Sequence, residues 1–206
     1  MHIAWWKGGI PVILIIDFGS QYNQLIARRV REQHVYCQIE PPEIDIERIK
    51  SLRPEGIVLS GGPASIYEKG SPKADRGIFD LGIPILGICY GLQFMVDALG
   101  GKVIRSEKRE YGFAELSFSR GGVIFDGIKG PSQCWMSHGD SIGKLPRGFQ
   151  ITASTANTKV AAAENQKKRL YGLQFHPEVA HTAEGRKMLE NFLFAIGSVL
   201  LPLPRD

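Results

Sequence analysis

The sequence predicts an α/β fold: a mixed, mainly parallel central sheet flanked by helices, with a small antiparallel sheet added. Three observations carry this. The apolar runs at 12–16 and 83–88 lack the in-out alternation of a half-exposed strand and read as buried parallel strands, and 56–60 reads as a third strand. Segments between and after them carry apolar residues at the three-and-four spacing of amphipathic helices. From Lys102 onward the texture changes to short strands broken by turns.

In chain order, Pro11 precedes the run 12–16, which is expected to be the first, central strand. The loop Asp17-Phe18-Gly19-Ser20-Gln21-Tyr22 follows at its C-terminal end, where ligands gather in open α/β sheets. Residues 23–33 read as a helix through Leu25, Ile26 and Val30, 35–39 as a strand, and 44–52 as a short helix after the Pro41-Pro42 break. Residues 56–60 lead into Gly61-Gly62-Pro63, and 74–81 is expected to be a helix. The strand at 83–88 runs into a helix through Leu92, Met95, Val96 and Leu99, closed by Gly100-Gly101. Beyond it, 103–105, 113–118, 132–136, 149–153, 160–164 and 169–175 are the expected strands, and 183–196 is a closing helix through Met188, Leu189, Phe192 and Ala195. One domain over 12–197 is expected, with 1–11 a leader and 198–206 a tail or linker remnant.

Composition narrows the function. The chain has 206 residues, 43% hydrophobic and 22% charged, and a net charge of +4. No apolar run approaches the ~20 residues a membrane helix needs, and residues 1–9 lack the apolar core of a secretory signal. A cytoplasmic location is expected. The basic residues are scattered, without a nucleic-acid-binding signature, and Cys37, Cys89 and Cys134 are too widely spaced for a disulfide framework or a four-ligand metal site. Cys37 and Cys134 read as buried apolar fillers, and no metal or nucleic-acid partner is expected.

Cys89 sits at the joint between the strand at 83–88 and the following helix, with Gly87 and Gly91 two residues to either side. This is the layout of a nucleophile elbow with Cys in place of Ser. A helix N-terminus favours thiolate, and so a reactive sulfur; an unpaired cysteine is also among the most buried residue types. A base is needed. The stretch Gln174-Phe175-His176-Pro177-Glu178 places a histidine at a strand end, with an acid two residues on past a rigid proline. His176 can take the thiol proton while Glu178 accepts the other ring N–H and fixes the tautomer, as a triad requires. His138, without the Pro-Glu context, is rejected as the base, and His2, His34 and His181 have no constellation around them.

The stretches Gly87-Ile88-Cys89-Tyr90-Gly91-Leu92-Gln93 and Gln174-Phe175-His176-Pro177-Glu178 resemble the two signatures of class I glutamine amidotransferases, the Cys-His-Glu glutaminases. Asp17 to Tyr22, Ser60-Gly61-Gly62-Pro63 and Met136-Ser137-His138-Gly139-Asp140 narrow the resemblance to the glutaminase part of the GMP synthases. It covers residues 12–195. The resemblance implies a flavodoxin-like three-layer fold, an oxyanion hole from the Gly62 and Tyr90 N–H groups, and substrate contacts from Gly61, Gln93, Ser137, His138 and Asp140. It also implies L-glutamine as substrate and, as partner, an ATP-pyrophosphatase domain or subunit that converts XMP to GMP, a step in purine biosynthesis. No phosphate-binding loop of the Ser-Gly-Gly-Val-Asp or Gly-Lys-Ser kind is present, so ATP and Mg belong to that partner and no cofactor is expected here. A glutaminase subunit of the anthranilate synthase type, a non-catalytic docking module and a γ-glutamyl peptidase remain as alternatives.

Overall fold

The structure is a computed structural model that describes residues 12–118 and 122–196. The expected leader at 1–11 and tail at 198–206 lie outside the described residues.

Five strands form the parallel part: β1 (Val12–Ile16), β2 (Tyr36–Glu40), β3 (Gly56–Leu59), β4 (Ile85–Ile88) and, far along the chain, β9 (Leu170–Leu173). Their order is β2-β1-β3-β4-β9, the flavodoxin-like arrangement in which the chain reverses direction across the sheet between β1 and β3. β1 is therefore interior but one place from the edge, not central as expected; β9 holds the middle of the nine strands ordered among the described residues.

The order continues from β9 through the antiparallel strands β8 (Ala162–Asn165), β7 (Gln150–Ser154), β5 (Lys102–Phe118) and β6 (Ser132–Lys144). Two expectations change here. The separate strands expected at 103–105 and 113–118 are one strand, interrupted by a register shift between Arg105 and Glu110 opposite Asp140 and His138. The strand expected at 132–136 runs on to Lys144, so residues 137–140 lie inside β6 instead of after it.

Helices cover both faces. Helix α1 (Asn23–Arg31) and helix α4 (Gly185–Asn191), which passes into a π-helical turn at Phe192–Ile196, share one core with Ile13, Ile15, Val58 and Leu86. Helix α2 (Ile46–Leu52) and helix α3 (Tyr90–Ala98) share the other with Leu14, Ile16, Ile57 and Leu59. Alternate residues of β1 thus feed opposite cores, which is why the run 12–16 is apolar throughout. Asp45 caps α2, its side chain accepting from Arg48 N at 2.6 Å. The helix expected at 74–81 is only a 3₁₀ turn, Arg76–Asp80, opened by Asp75 accepting from Gly77 N. Gly77 and Gly82 flank its apolar Ile78 and Phe79, too short a segment to nucleate an α-helix.

Candidate active site

The carboxyl ends of the parallel strands converge on one edge of the sheet, and Cys89 stands at the end of β4. Its backbone has φ 50° and ψ −105°, a conformation rare for a residue with a side chain. Cys89 N donates to Leu173 O at 2.7 Å, which ties the elbow to β9. A Cβ on Gly91 would lie 2.3 Å from Leu59 O, so α3 can start this close to β3 only without a side chain there. The elbow is thus built by strand-to-helix contact on both sides of the cysteine.

Three residues beyond β9, His176 N donates to Trp135 O at 3.2 Å and the Thr182 hydroxyl donates to His176 O at 2.6 Å. These bonds hold the backbone that aims the ring. His176 Nδ1 pairs with Glu178 Oε1 at 2.8 Å, while Glu178 is fully buried and its Oε2 has no hydrogen-bond partner among the described residues. A buried carboxylate so sparsely served depends on the imidazole for charge compensation. Burial opposes a charged ring, but the Glu178 carboxylate and side-chain hydrogen bonds with Cys89 and Glu178 outweigh it and hold His176 well above the ordinary histidine value. The thiol of Cys89 and the imidazole of His176 line the same cleft, a proximity that the sequence alone left as a spatial assumption.

A cleft of about 710 Å³ opens over Cys89 and His176. One wall is the β1 loop, shaped by Asp17 Oδ1 accepting from Gly19 N and Ser20 Oγ from Tyr22 N. This loop sets the Tyr22 ring edge-on to His176, centroids 5.3 Å apart. Gly62 and Pro63 form the floor beside it, pinned to the β1 loop by Ser60 Oγ, which accepts from Phe18 N at 2.9 Å. The far wall is β6: Ser137 O accepts from Cys89 Sγ at 3.6 Å, and Asp140 accepts from Ser65 Oγ at 2.5 Å. Gln93, one turn into α3, donates through Nε2 to Asp140 O at 3.1 Å.

Of the expected oxyanion and substrate-binding residues, Gly62, Gln93, Ser137, His138 and Asp140 line the cleft, while Gly61 and Tyr90 do not. Gly61 does not line the cleft; it packs under His176, where a Cβ would lie 3.0 Å from His176 Cε1. Its lack of a side chain makes room for the base. Tyr90 opens α3, its ring buried against Phe18 and its hydroxyl donating to Pro72 O. His138 lines the cleft, its Nδ1 donating to Asp140 O at 2.9 Å and its Nε2 3.3 Å from Thr158 Oγ1. Burial pulls its pKa down.

Sequence reasoning missed several residues. Glu110 lies 3.7 Å from His138 and accepts from Thr158 at 2.5 Å and Thr155 at 3.2 Å, giving His138 an acidic neighbour that only β5–β6 pairing reveals. Arg105 and Tyr111, either side of the β5 register shift, also line the cleft, and Arg105 is the only lysine or arginine on its wall among the described residues. His181 stacks on Trp135 at 4.7 Å and against Phe113, so it does have a constellation, though an aromatic surface one. Gln174, which the sequence marks only as the first residue of a signature stretch, touches the sulfur itself, Nε2 to Sγ 3.7 Å. Cys37 and Cys134 are buried away from the cleft, and burial pushes the Cys134 thiol up to about 12. Among the described residues no three His, Cys, Asp or Glu side chains group as a metal site.

Comparison with known proteins places this geometry in context. Residues 14–196 match the family model described as glutamine amidotransferase class-I. The chain is 54% identical over 184 residues to a protein of Heliobacterium modesticaldum named GMP synthase [glutamine-hydrolyzing], covering 89% of this chain and 36% of that one. A protein of the same name from Brachyspira hyodysenteriae is 52% identical over 190 residues, 92% of this chain and 37% of its own length. This chain thus spans little more than a third of these relatives. The crystal structure of a Thermoplasma acidophilum protein, described as a putative GMP synthase subunit, superposes with a TM-score of 0.84 at 33% identity, covering 93% of this chain and 96% of the other.

Proposed function

The chain belongs to the class I glutamine amidotransferases, and on that premise we propose that it hydrolyses L-glutamine through a thioester on Cys89 and passes the ammonia to a GMP synthase partner. The observation that carries the reading is the buried Cys89–His176–Glu178 constellation, with Cys89 and His176 facing the cleft and Glu178 behind the imidazole.

The side-chain amide of glutamine enters toward the sulfur. Cys89 attacks the amide carbon, its proton residing on His176, and the carbonyl oxygen becomes an oxyanion facing the Gly62 and Tyr90 N–H groups. Collapse breaks the C–N bond as His176 gives its proton to the departing nitrogen, which leaves as ammonia. Water then attacks the glutamyl thioester, its proton going to His176; the C–S bond breaks, the electron pair returns to sulfur, and glutamate leaves. Glu178 keeps the imidazole oriented and stabilises its charged form throughout.

The walls fit the rest of an amino acid. Asp140 provides a carboxylate for the α-ammonium, and Arg105 a cation for the α-carboxylate. Gln93 spends its N–H groups on Asp140 O and Gln174 Oε1, so its own Oε1 remains to accept from the substrate amide. Ser137 shapes the wall beside the sulfur, His138 braces the Asp140 backbone, and Gly61 admits the His176 ring.

The synthetase half of the reaction is assigned elsewhere. The relatives named GMP synthase are nearly three times as long as the matched region, which supports a partner domain or subunit of the ATP-pyrophosphatase type that holds ATP and Mg and aminates XMP. This chain needs no cofactor of its own. A cytoplasmic setting suits such a biosynthetic role, and no helix among the described residues is long and apolar enough to cross a membrane. Mixing the chain with an ATP-pyrophosphatase domain, ATP and XMP tests the reading: GMP should form from glutamine, and Cys89→Ala should restrict the mixture to free ammonia. GMP formation from glutamine by the Cys89→Ala mixture would refute it.

A further inference from the structure

We propose that Gln174 is a second hydrogen-bond donor to the nucleophile, its side-chain N–H meeting the Cys89 sulfur and favouring the thiolate alongside His176. The inference rests on Cys89 being the nucleophile proposed above.

Gln174 has 0% of its surface exposed, so neither end of its amide can turn to water and both need partners. Its Nε2 lies 3.7 Å from Cys89 Sγ, and its Oε1 accepts from Gln93 Nε2 at 3.4 Å. The direction of this chain is fixed at its far end. Asp140 O, a backbone carbonyl, can only accept, so Gln93 must present its NH₂ there, at 3.1 Å. The same NH₂ meets Gln174, which must answer with oxygen and leave its own NH₂ toward the sulfur. Turning the Gln174 amide over would set NH₂ against NH₂ at one end and carbonyl oxygen against sulfur at the other.

The sulfur needs such a donor. Ser137 O, 3.6 Å away, accepts from a neutral thiol, but once the proton leaves, that carbonyl dipole repels the charge. Gln174 acts in the opposite sense, because a hydrogen bond to a charged acceptor is roughly twice as strong as one to a neutral acceptor. Its amide does not titrate. When His176 has given its proton to ammonia, Gln174 still faces the sulfur, and its N–H donates to that sulfur as the electron pair returns there when the C–S bond of the thioester breaks. The relay from Asp140 through Gln93 to Gln174 holds this donor ready before substrate arrives.

The test uses Gln174→Met, which keeps the length of the side chain and removes the donor. Alkylation of Cys89 by iodoacetamide, followed by peptide mapping, should be about tenfold slower than wild type at neutral pH, with its pH profile moved to the alkaline side. For glutamine hydrolysis kcat should fall while KM stays within about twofold. A merely structural Gln174 would lower the thermal midpoint and leave the alkylation profile on that of wild type, and this result would overturn the proposal. If the variant does not fold, NMR of the wild type decides: the Gln174 side-chain amide proton should shift as the thiolate forms, and not in Cys89→Ala. An unmoved resonance would also overturn it. Alkylation needs no glutamine turnover, so a wild-type protein that alkylates as expected but never hydrolyses glutamine would refute the function proposed above and leave the Gln174 donor standing.

Discussion

The parallel and antiparallel halves of the sheet contribute different things to one cleft. The parallel half supplies the reacting groups: Cys89 at the end of β4 and His176 with Glu178 just past β9, each held by backbone hydrogen bonds. The antiparallel half supplies a wall, with Ser137, His138 and Asp140 on β6 facing Arg105, Glu110 and Tyr111 on β5 across a register shift. Chemistry therefore rests on rigid elements whose ends converge by topology, and substrate fit rests on a bulged ribbon whose shape depends on strand pairing. Damage to the first half should appear in kcat and damage to the second in KM.

The largest effect should come from the elbow. Cys89→Ala should cut glutamine hydrolysis about ten-thousandfold or more in a steady-state ammonia assay. Glu178→Gln comes next, lowering kcat about a hundredfold. It also carries a pH signature. Glu178 helps hold His176 above its ordinary value, so the imidazolium persists to higher pH in the wild type; removing the carboxylate should move the alkaline limb of the kcat/KM profile toward acid. The same shift bears on stability. A histidine raised on folding contributes stability that is fully present below its unfolded value of about 6.5 and is lost as pH rises through the folded value, so wild-type unfolding free energy should fall over that alkaline interval. Chemical denaturation across pH should show this loss in the wild type and much less of it in Glu178→Gln.

Much of the parallel half is legible in the residues because its signals are local. The run 12–16 is apolar because both its faces are buried, and Gly87 and Gly91 bracket Cys89 because backbone passes within contact of each. The antiparallel half resists such reading. Nothing near Glu110 in the chain marks it as a neighbour of His138; pairing between β5 and β6 brings them together, with Thr155 and Thr158 arriving from the turn after β7. The 3₁₀ turn at Arg76–Asp80 passes for a helix because Ile78 and Phe79 are apolar and buried, although the segment is too short to carry α-helical hydrogen bonds. Gly61 shows the same limit: nothing in the sequence says that the His176 ring packs where its side chain would stand.

Smaller effects sharpen the division. Arg105→Ala should raise KM for glutamine about fivefold and leave kcat within about twofold, because an exposed cation contributes modestly to holding a carboxylate. Thr158→Val, which removes the hydroxyl bonded to Glu110 and set beside His138, should raise KM about threefold with a small loss of thermal stability. A kcat loss from either variant as deep as that of Glu178→Gln would break the division between the halves.

The most direct measurement of the central claim is covalent capture of the sulfur. A chloroketone shaped like glutamine is incubated with the protein, and the adduct is located by mass spectrometry of the peptides. The account predicts one adduct, on the peptide that contains Cys89, prevented by an excess of glutamine and absent in Cys89→Ala. An adduct on Cys37 or Cys134 with Cys89 unmodified, in a protein that turns over glutamine, would contradict it.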